Sequence, residues 1–302
     1  MRAEEAAESP ILGRIATEVK RQLGAELALG LYVVATPIGN LSDITLRAIS
    51  VLARADVVLC EDTRHSRTLL VHYGISTTTR PYHEHNAAKE RPRVLAELAA
   101  GRRIALISDA GTPLVSDPGW KLVREALDAG HRVEALPGAS ATLTALAVAG
   151  LPTDAFLFGG FLPPKSAARR TRIAELGAVP ATLVFFEAPS RVAEAIADLA
   201  AVLGPRPAAL ARELTKLHEE VRRAPLDRLA AALEGQPVKG ELVILVGPPV
   251  ASEVSEEIIA ERLGAALADM SLRDAAKAVS EALGVPKSRV YDIGLGLRKD
   301  AT

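Results

Sequence analysis

Short apolar runs, each followed by small turn-forming residues and then a segment of helical period, repeat along the first half of the chain. Residues 31–35, 57–60, 104–107 and 132–136 read as strands. The run at 104–107 is apolar without alternation, as expected of a strand buried on both faces. Helices are predicted over 42–53, from 64 to 73 ahead of Gly74, from an Asn86 cap to Gly101, over 121–129, and over the Ala/Leu-rich stretch ending at Ala149. Asp43 and Arg47 are spaced to pair on one helix face. Four strand–loop–helix repeats predict a mostly parallel sheet.

The pattern changes near Leu151 and Pro152. Strands are predicted at 156–158, 182–186, 208–211 and 241–246, with helices at 191–203 and 226–233. Some connections are short, which admits antiparallel pairs. A linker at 250–256 leads to helices over 257–270, 272–283 and 287–295. Ser271 caps the second, and Gly284–Val285–Pro286 makes a turn that fits a helix-turn-helix. Lys287, Arg289, Arg298 and Lys299 could face a nucleic-acid backbone, although a small helical cap or dimerisation element accounts for the same residues. Residues 11–23 form one amphipathic helix within a polar N-terminal extension.

Composition narrows the class. At 302 residues the chain is long enough for two domains and a small third. Its 49% hydrophobic and 24% charged residues are those of a globular protein. With a net charge of -1, any RNA site must be a local basic patch. The single cysteine, Cys60, excludes an intramolecular disulfide and a thiolate zinc cage. No apolar run approaches the ~20 residues of a membrane span. Glu4, Glu5 and Glu8 at the N-terminus do not suit a signal peptide, so a cytoplasmic protein is the expectation.

The chemistry concentrates in the loops after the strands. The stretch 104–120, IALISDAGTPLVSDPGW, runs from a buried strand into small residues and two carboxylates. In open α/β sheets ligands bind outside the carboxyl ends of strands. The stretch lacks both the phosphate-cradling GxxxxGK[ST] loop and the GxGxxG dinucleotide fingerprint. A plain strand-to-helix connection capped by Asp117 accounts for it equally well. Glu61 and Asp62 end the second strand, as a catalytic pair or as a helix cap beside a solvated acid. His83 and His85 alternate on an extended segment, as half a metal site without a visible third ligand or as substrate-touching loop residues. Residues 165–172 hold Lys165, Arg169, Arg170 and Arg172, the densest basic segment, read as a phosphate-contacting loop or a solvated helix face.

Taken in order, TPIGNLSDIT at 36–45, CEDTRHS at 60–66, HEHN at 83–86, SDAGTPLVSDPG at 108–119, LPGASA at 136–141, GFLPPKSAARR at 160–170, FFEAPSR at 185–191, ARELTK at 211–216 and KGELVILV at 239–246 resemble the ribosomal RNA small-subunit methyltransferase I family. The resemblance runs from about residue 31 to 247 and extends to the terminal helices. It implies two α/β domains of the tetrapyrrole methylase (class III methyltransferase) type with a cofactor cleft between them, plus a small helical domain. The expected divisions are an extension at 1–29, α/β domains at 30–150 and 151–249, and a helical domain at 250–302. It further implies methyl transfer from S-adenosylmethionine to the ribose 2′-hydroxyl of cytidine 1402 in the decoding region of 16S rRNA, with the 30S subunit as the expected partner, by a homodimer. Carried over position by position, Pro37, Ser108, Asp109, Thr112, Ser140, Ala141, Glu187 and Leu214 fall where the wider fold holds the cofactor. Glu61, Asp62, His83 and His85 are the candidate catalytic groups. Arg64, Lys165, Arg169, Arg170 and Lys216 are assigned to RNA phosphates.

Two other readings compete. A tetrapyrrole methylase on the same fold would act on an acidic small molecule, but such a substrate does not require the basic loop, the HEHN segment or the terminal helices. A nucleic-acid-binding protein built around the tail would not require the loop motifs at 36–216.

Overall fold

The computed structural model describes residues 9–249 and 255–300, the last three in backbone only. Most of the expected linker at 250–256, and the side chains of Arg298 and Lys299, lie outside the described residues. The chain divides into two compact units, Met1–Pro248 and Pro249–Thr302.

The first unit opens with helix α1 (Pro10–Gly24), which buries none of its residues and is tied to the next helix where Arg54 donates to the Gln22 carbonyl at 2.9 Å. There follow β1 (Gly30–Val34), α2 (Leu46–Arg54), β2 (Val57–Cys60), α3 (Thr63–His72), β3 (Thr79–Pro81), α4 (Glu84–Ala99), β4 (Arg103–Leu106), α5 (Trp120–Asp128), β5 (Val133–Leu136) and α6 (Ala141–Ala149). The five strands pair in parallel in the order β3-β2-β4-β1-β5. Successive residues point to opposite faces. Tyr32, Val34, Val58 and Ala105 therefore meet Val51, Leu52 and Leu70 of α2 and α3. Leu31, Val57, Leu59 and Ile104 meet Val94, Leu98 and Leu122 of α4 and α5. Each of the buried Val, Leu and Ile side chains among these contributes about 2 kcal/mol of transfer free energy. The connection after β1 runs toward β2, whereas the connection after β4 runs toward β5, so the two leave in opposite directions. The crevice this creates lies outside the carboxyl ends of β1 and β4.

The second sheet follows, from β6 (Phe156–Phe161), α7 (Ser166–Gly177), β7 (Thr182–Glu187), α8 (Val192–Leu203), β8 (Pro207–Arg212), β9 (Glu220–Pro225), α9 (Leu226–Leu233) and β10 (Leu242–Val246). Its order is β6-β7-β10-β8-β9, with β6 and β7 parallel and β10 antiparallel to both neighbours. One face packs on Ile173, Ile196 and Leu229 of α7, α8 and α9. On the other face, Val184, Ala209, Val243 and Leu245 receive Ala145, Leu146 and Ala149 of α6. That helix, contributed by the first sheet's half, joins the two halves through one core. The fold is thus α/β with two sheets, as the sequence pattern predicts.

Local expectations needed revision. The helix predicted over 42–53 is two pieces, a 3-10 turn at Leu41–Asp43 and α2, because the Thr45 side chain caps the Ala48 N–H at 3.0 Å and restarts the helix. Asp43 and Arg47 are thereby separated, and Arg47 pairs with Glu134 instead. Asn86 lies inside α4 rather than before it, and its side chain accepts from the His83 N–H at 2.8 Å. Strands β3 and β9 were not anticipated.

The second unit comprises α10 (Glu256–Leu267), α11 (Leu272–Leu283) and α12 (Lys287–Asp300). Ile259, Leu263, Leu272, Ala276, Val279 and Val290 form its core. Ser271 caps α11, accepting from Asp274 N–H at 3.3 Å, and Gly284 ends it in the left-handed conformation. No helix among the described residues is long and apolar enough to cross a membrane.

Candidate active site

The loops that follow β1, β4 and β5 are stitched to one another at the crevice. Thr36 and Gly111 exchange backbone hydrogen bonds of 2.9 and 3.0 Å. The Thr36 hydroxyl donates to the Ser108 carbonyl and the Thr112 hydroxyl to the Ala139 carbonyl, each at 3.2 Å. Gly111 has φ 78°, and a Cβ there would stand 3.2 Å from Ile38. The four non-glycine residues with positive φ among the described residues are Leu114, Ser116, Glu213 and Thr215. They fall on two loops beside the crevice. Such strained positions persist where surrounding structure holds them and collect at functional sites.

A cavity of about 390 Å³ lies between the first sheet's loops and the second sheet. Thr112, Ser140, Ala141, Glu187 and Leu214 line it, with Phe161, Phe186 and residues 240–243 at the start of the central strand β10. Ser140 caps α6. Leu214 is held inward between the left-handed Glu213 and Thr215. Glu187 is 3% exposed; its Oε1 accepts from the Ala188 N–H at 2.8 Å and pairs with Arg191 at 2.5 Å. Its Oε2 has no hydrogen-bond partner. A buried carboxylate oxygen left unmade is costly, and here it belongs to a wall of an otherwise mainly apolar cavity. That combination suits a ligand with an apolar body and a donor or a positive charge.

Pro37, Ser108 and Asp109 line a second cavity, of about 580 Å³. It shares Ile38, Ala110 and Glu241 with the first. The eight expected cofactor residues are therefore divided five and three across a common wall.

The candidate catalytic groups line neither cavity. Asp62 is tied to the second cavity through Asp109, whose Oδ1 accepts from the Asp62 N–H at 3.0 Å. Asp62 is the cap of α3, and its carboxylate also binds the Arg64 guanidinium, which with the Arg64 and His65 backbone holds it well below the usual carboxylate range. Glu61 is pushed up, first by burial and then by Asp109, with His83 opposing. Asp117, outside the expected set, is pushed up to about 6 by burial and then by Glu61, against a hydrogen bond from Ser108. His83 has a buried Nδ1 without a partner, and its ring lies 6.0 Å from that of the exposed His85. Their extended alternation is broken because α4 starts between them. Among the described residues no group of three or more His, Cys, Asp or Glu is arranged to hold a metal.

Of the residues assigned to RNA, Arg64 and Lys165 are exposed, and Arg170 is half-exposed and paired with Asp198 at 2.6 Å. Lys216 stands at the second cavity, held by Glu213 at 3.0 Å and Glu241 at 3.2 Å. Arg169 is a correction. It is 1% exposed, bound to Asp198 at 2.7 Å and to Glu194 at 3.3 Å, so it braces α7 against α8 and does not present itself to a phosphate. His65, Phe161, Phe186 and Asp117 were missed. His65 lies in view within CEDTRHS, whereas Phe186 reads only as a strand residue and Phe161 as part of the turn after a strand.

Comparisons with known proteins show the family of the chain. The profile of the tetrapyrrole (corrin/porphyrin) methylases matches residues 30–230, and that of the RsmI C-terminal HTH domain matches residues 252–298. A protein of Mesorhizobium japonicum named ribosomal RNA small subunit methyltransferase I is 53% identical over 266 residues, covering 86% of this chain and 90% of the relative. The protein of the same name from Escherichia coli O157:H7 is 44% identical over 282 residues, covering 92% and 99%. Among solved structures, uroporphyrin-III C-methyltransferase of Thermus thermophilus, complexed with S-adenosyl homocysteine, superposes with a TM-score of 0.53 at 21% identity, over 72% of this chain and 97% of that one.

Proposed function

The chain belongs to the ribosomal RNA small subunit methyltransferase I family, within the tetrapyrrole methylases, and on that premise we propose that it methylates the ribose 2′-hydroxyl of cytidine 1402 of 16S rRNA with S-adenosylmethionine. The observation that carries this reading is the mainly apolar cavity at the crevice with the partnerless Glu187 oxygen in its wall. Thr112, Ser140, Ala141, Glu187 and Leu214 would hold the cofactor, and Pro37, Ser108 and Asp109, which line the adjoining second cavity, would meet it from that side. When bound, S-adenosylmethionine supplies a methyl group on a positively charged sulfonium.

The remaining work falls to the chain. A ribose hydroxyl is a poor nucleophile until its proton leaves, and a positioned base typically supplies ~10²–10⁴-fold. Glu61 suits that part best, because burial and the neighbouring Asp109 raise its proton affinity. Asp62 is committed to capping α3 and to Arg64. His83 and His85 are the alternative proton acceptors. Arg64, Lys165, Arg170 and Lys216 supply local positive charge on a chain of net charge -1. A homodimer, the 30S subunit as substrate and a cytoplasmic location belong to the same reading.

Methyl-labelled S-adenosylmethionine, incubated with the chain and 30S subunits lacking the modification, tests it. Label in 16S rRNA is the expected result. Cofactor binding without transfer to 30S or naked rRNA moves the substrate toward a tetrapyrrole, and no cofactor binding removes the cavity as the cofactor site.

A further inference from the structure

We infer that the second cavity receives the target nucleotide, unstacked from the RNA, and that the exposed face of α3, through Arg67, holds the phosphate beside it. This rests on the proposed function and adds to it where the substrate sits.

Position is the first argument. Reacting atoms must approach within about 3–3.5 Å, so substrate and cofactor spaces have to adjoin. The cavity of about 580 Å³ meets the first one at Ile38, Ala110 and Glu241. It is also the one that Asp109, the residue in front of Glu61 and Asp62, opens onto. A nucleotide lying there has Asp109, which accepts from the Asp62 N–H, in one wall and the cofactor cavity beyond another.

Chemistry is the second. The wall carries His65, Asp109, Lys216 and Glu241 among apolar side chains such as Leu41 and Leu69. A cytosine edge offers an amino donor beside acceptors, and a carboxylate is a fitting partner for that amino group. Lys216 and Glu241, 3.2 Å apart, put a donor and an acceptor side by side. Burial works against the Lys216 charge, but Glu213 and Glu241 outweigh it and keep the group protonated. The apolar wall suits the face of a base taken out of its stack.

The third argument is the path in. Leu41 and Thr68 continue from this cavity into an open groove of about 450 Å³ that also takes in Arg64, Arg67, Val71 and His72. Arg64, Arg67, Thr68 and Val71 follow helical spacing along one exposed face of α3. Arg64 is committed to Asp62. The Arg67 side chain makes no hydrogen bond or ion pair among the described residues. An exposed, uncommitted guanidinium at the mouth of a nucleotide-sized cavity is placed to bind the phosphate of whatever strand enters.

Two variants decide it, assayed on 30S subunits lacking the modification with cofactor affinity measured by calorimetry. R67E changes an exposed residue, and T68W fills the passage between groove and cavity without touching the cofactor cavity. For R67E the expected result is a KM for 30S raised at least ~10-fold and a salt slope reduced by about one, since one phosphate contact is lost. For T68W, kcat/KM should fall at least ~100-fold, as misplacing the reacting group implies. Cofactor Kd should be unchanged in both. Wild-type kcat/KM in R67E, with a wild-type enzyme that does transfer methyl, overturns the inference even if T68W fails to fold. A wild-type chain that transfers no methyl to 30S instead refutes the proposed function, and this inference falls with it.

Discussion

Replacing Arg169 by Ala separates a structural arginine from an RNA-binding one. Arg169 and the side chain of Asp198 are 1% and 5% exposed, and their 2.7 Å ion pair is joined by a bond from Arg169 to the Pro164 carbonyl at 3.2 Å. Removing one partner of a buried pair typically costs 3–5 kcal/mol. Asp198 keeps Arg170 and the Ser166 hydroxyl, so the low end applies, about 3 kcal/mol. For a unit of this size that lowers Tm by about 6–12 °C. The effect depends on pH in a definite sense. Burial alone would raise Asp198, but hydrogen bonds from Arg170, Arg169 and Ser166 outweigh it and depress its pKa. Stability from such a depressed carboxylate is present above its unfolded value of about 3.9 and is lost as pH falls through the folded one. The Tm difference between R169A and wild type should therefore be full at neutral pH and shrink below about pH 4. Thermal melts across pH, with 30S binding measured against salt well below Tm, make the assay. An unchanged Tm together with a reduced salt slope would refute the reasoning and return Arg169 to the RNA surface.

Three further outcomes follow from the site. E187Q keeps an acceptor for the Ala188 N–H but removes the charge facing the cofactor cavity, and should weaken S-adenosylmethionine binding at least ~10-fold by calorimetry, about 1.4 kcal/mol. E61Q should lower kcat by ~10²–10⁴ with cofactor Kd unchanged; kcat within a few fold of wild type transfers the role of base to His83 or His85. Asp117, held at about 6, binds its proton more tightly folded than unfolded, so it costs stability as pH rises from about 4 to about 6. D117N relieves that, and after allowance for solvent screening should raise urea stability by about 1 kcal/mol at pH 7.5 and by little at pH 4.

The strands of the first sheet were legible because burial on both faces leaves unbroken apolar runs, and their loops because they break into small residues. Strand β9 was not legible. It is an edge strand with Glu220, Arg222 and Arg223 facing largely outward, a composition that protects an open edge and reads as a solvated charge run. Strand β3 is three residues long and partly exposed, too short to give a period. The site divides in the same way. Loop residues such as Thr112, Ser140 and Asp109 announced themselves by motif. The burial of Arg169 depends on Asp198, 29 residues away on another helix, and the raised Asp117 depends on its burial and then on Glu61 across two loops. Neither pairing leaves a local trace. The Asp43–Arg47 pairing failed for the converse reason, since a Thr45 cap interrupts the helix that the spacing assumed.

The most direct measurement of the central claim is alkaline hydrolysis of 16S rRNA labelled by the chain with methyl-labelled S-adenosylmethionine. Alkali cleaves RNA through the free 2′-hydroxyl. The account predicts label in an alkali-resistant dinucleotide that begins with cytidine, because a 2′-O-methyl group blocks cleavage there. Label released in an ordinary mononucleotide would place the methyl group on a base and contradict it.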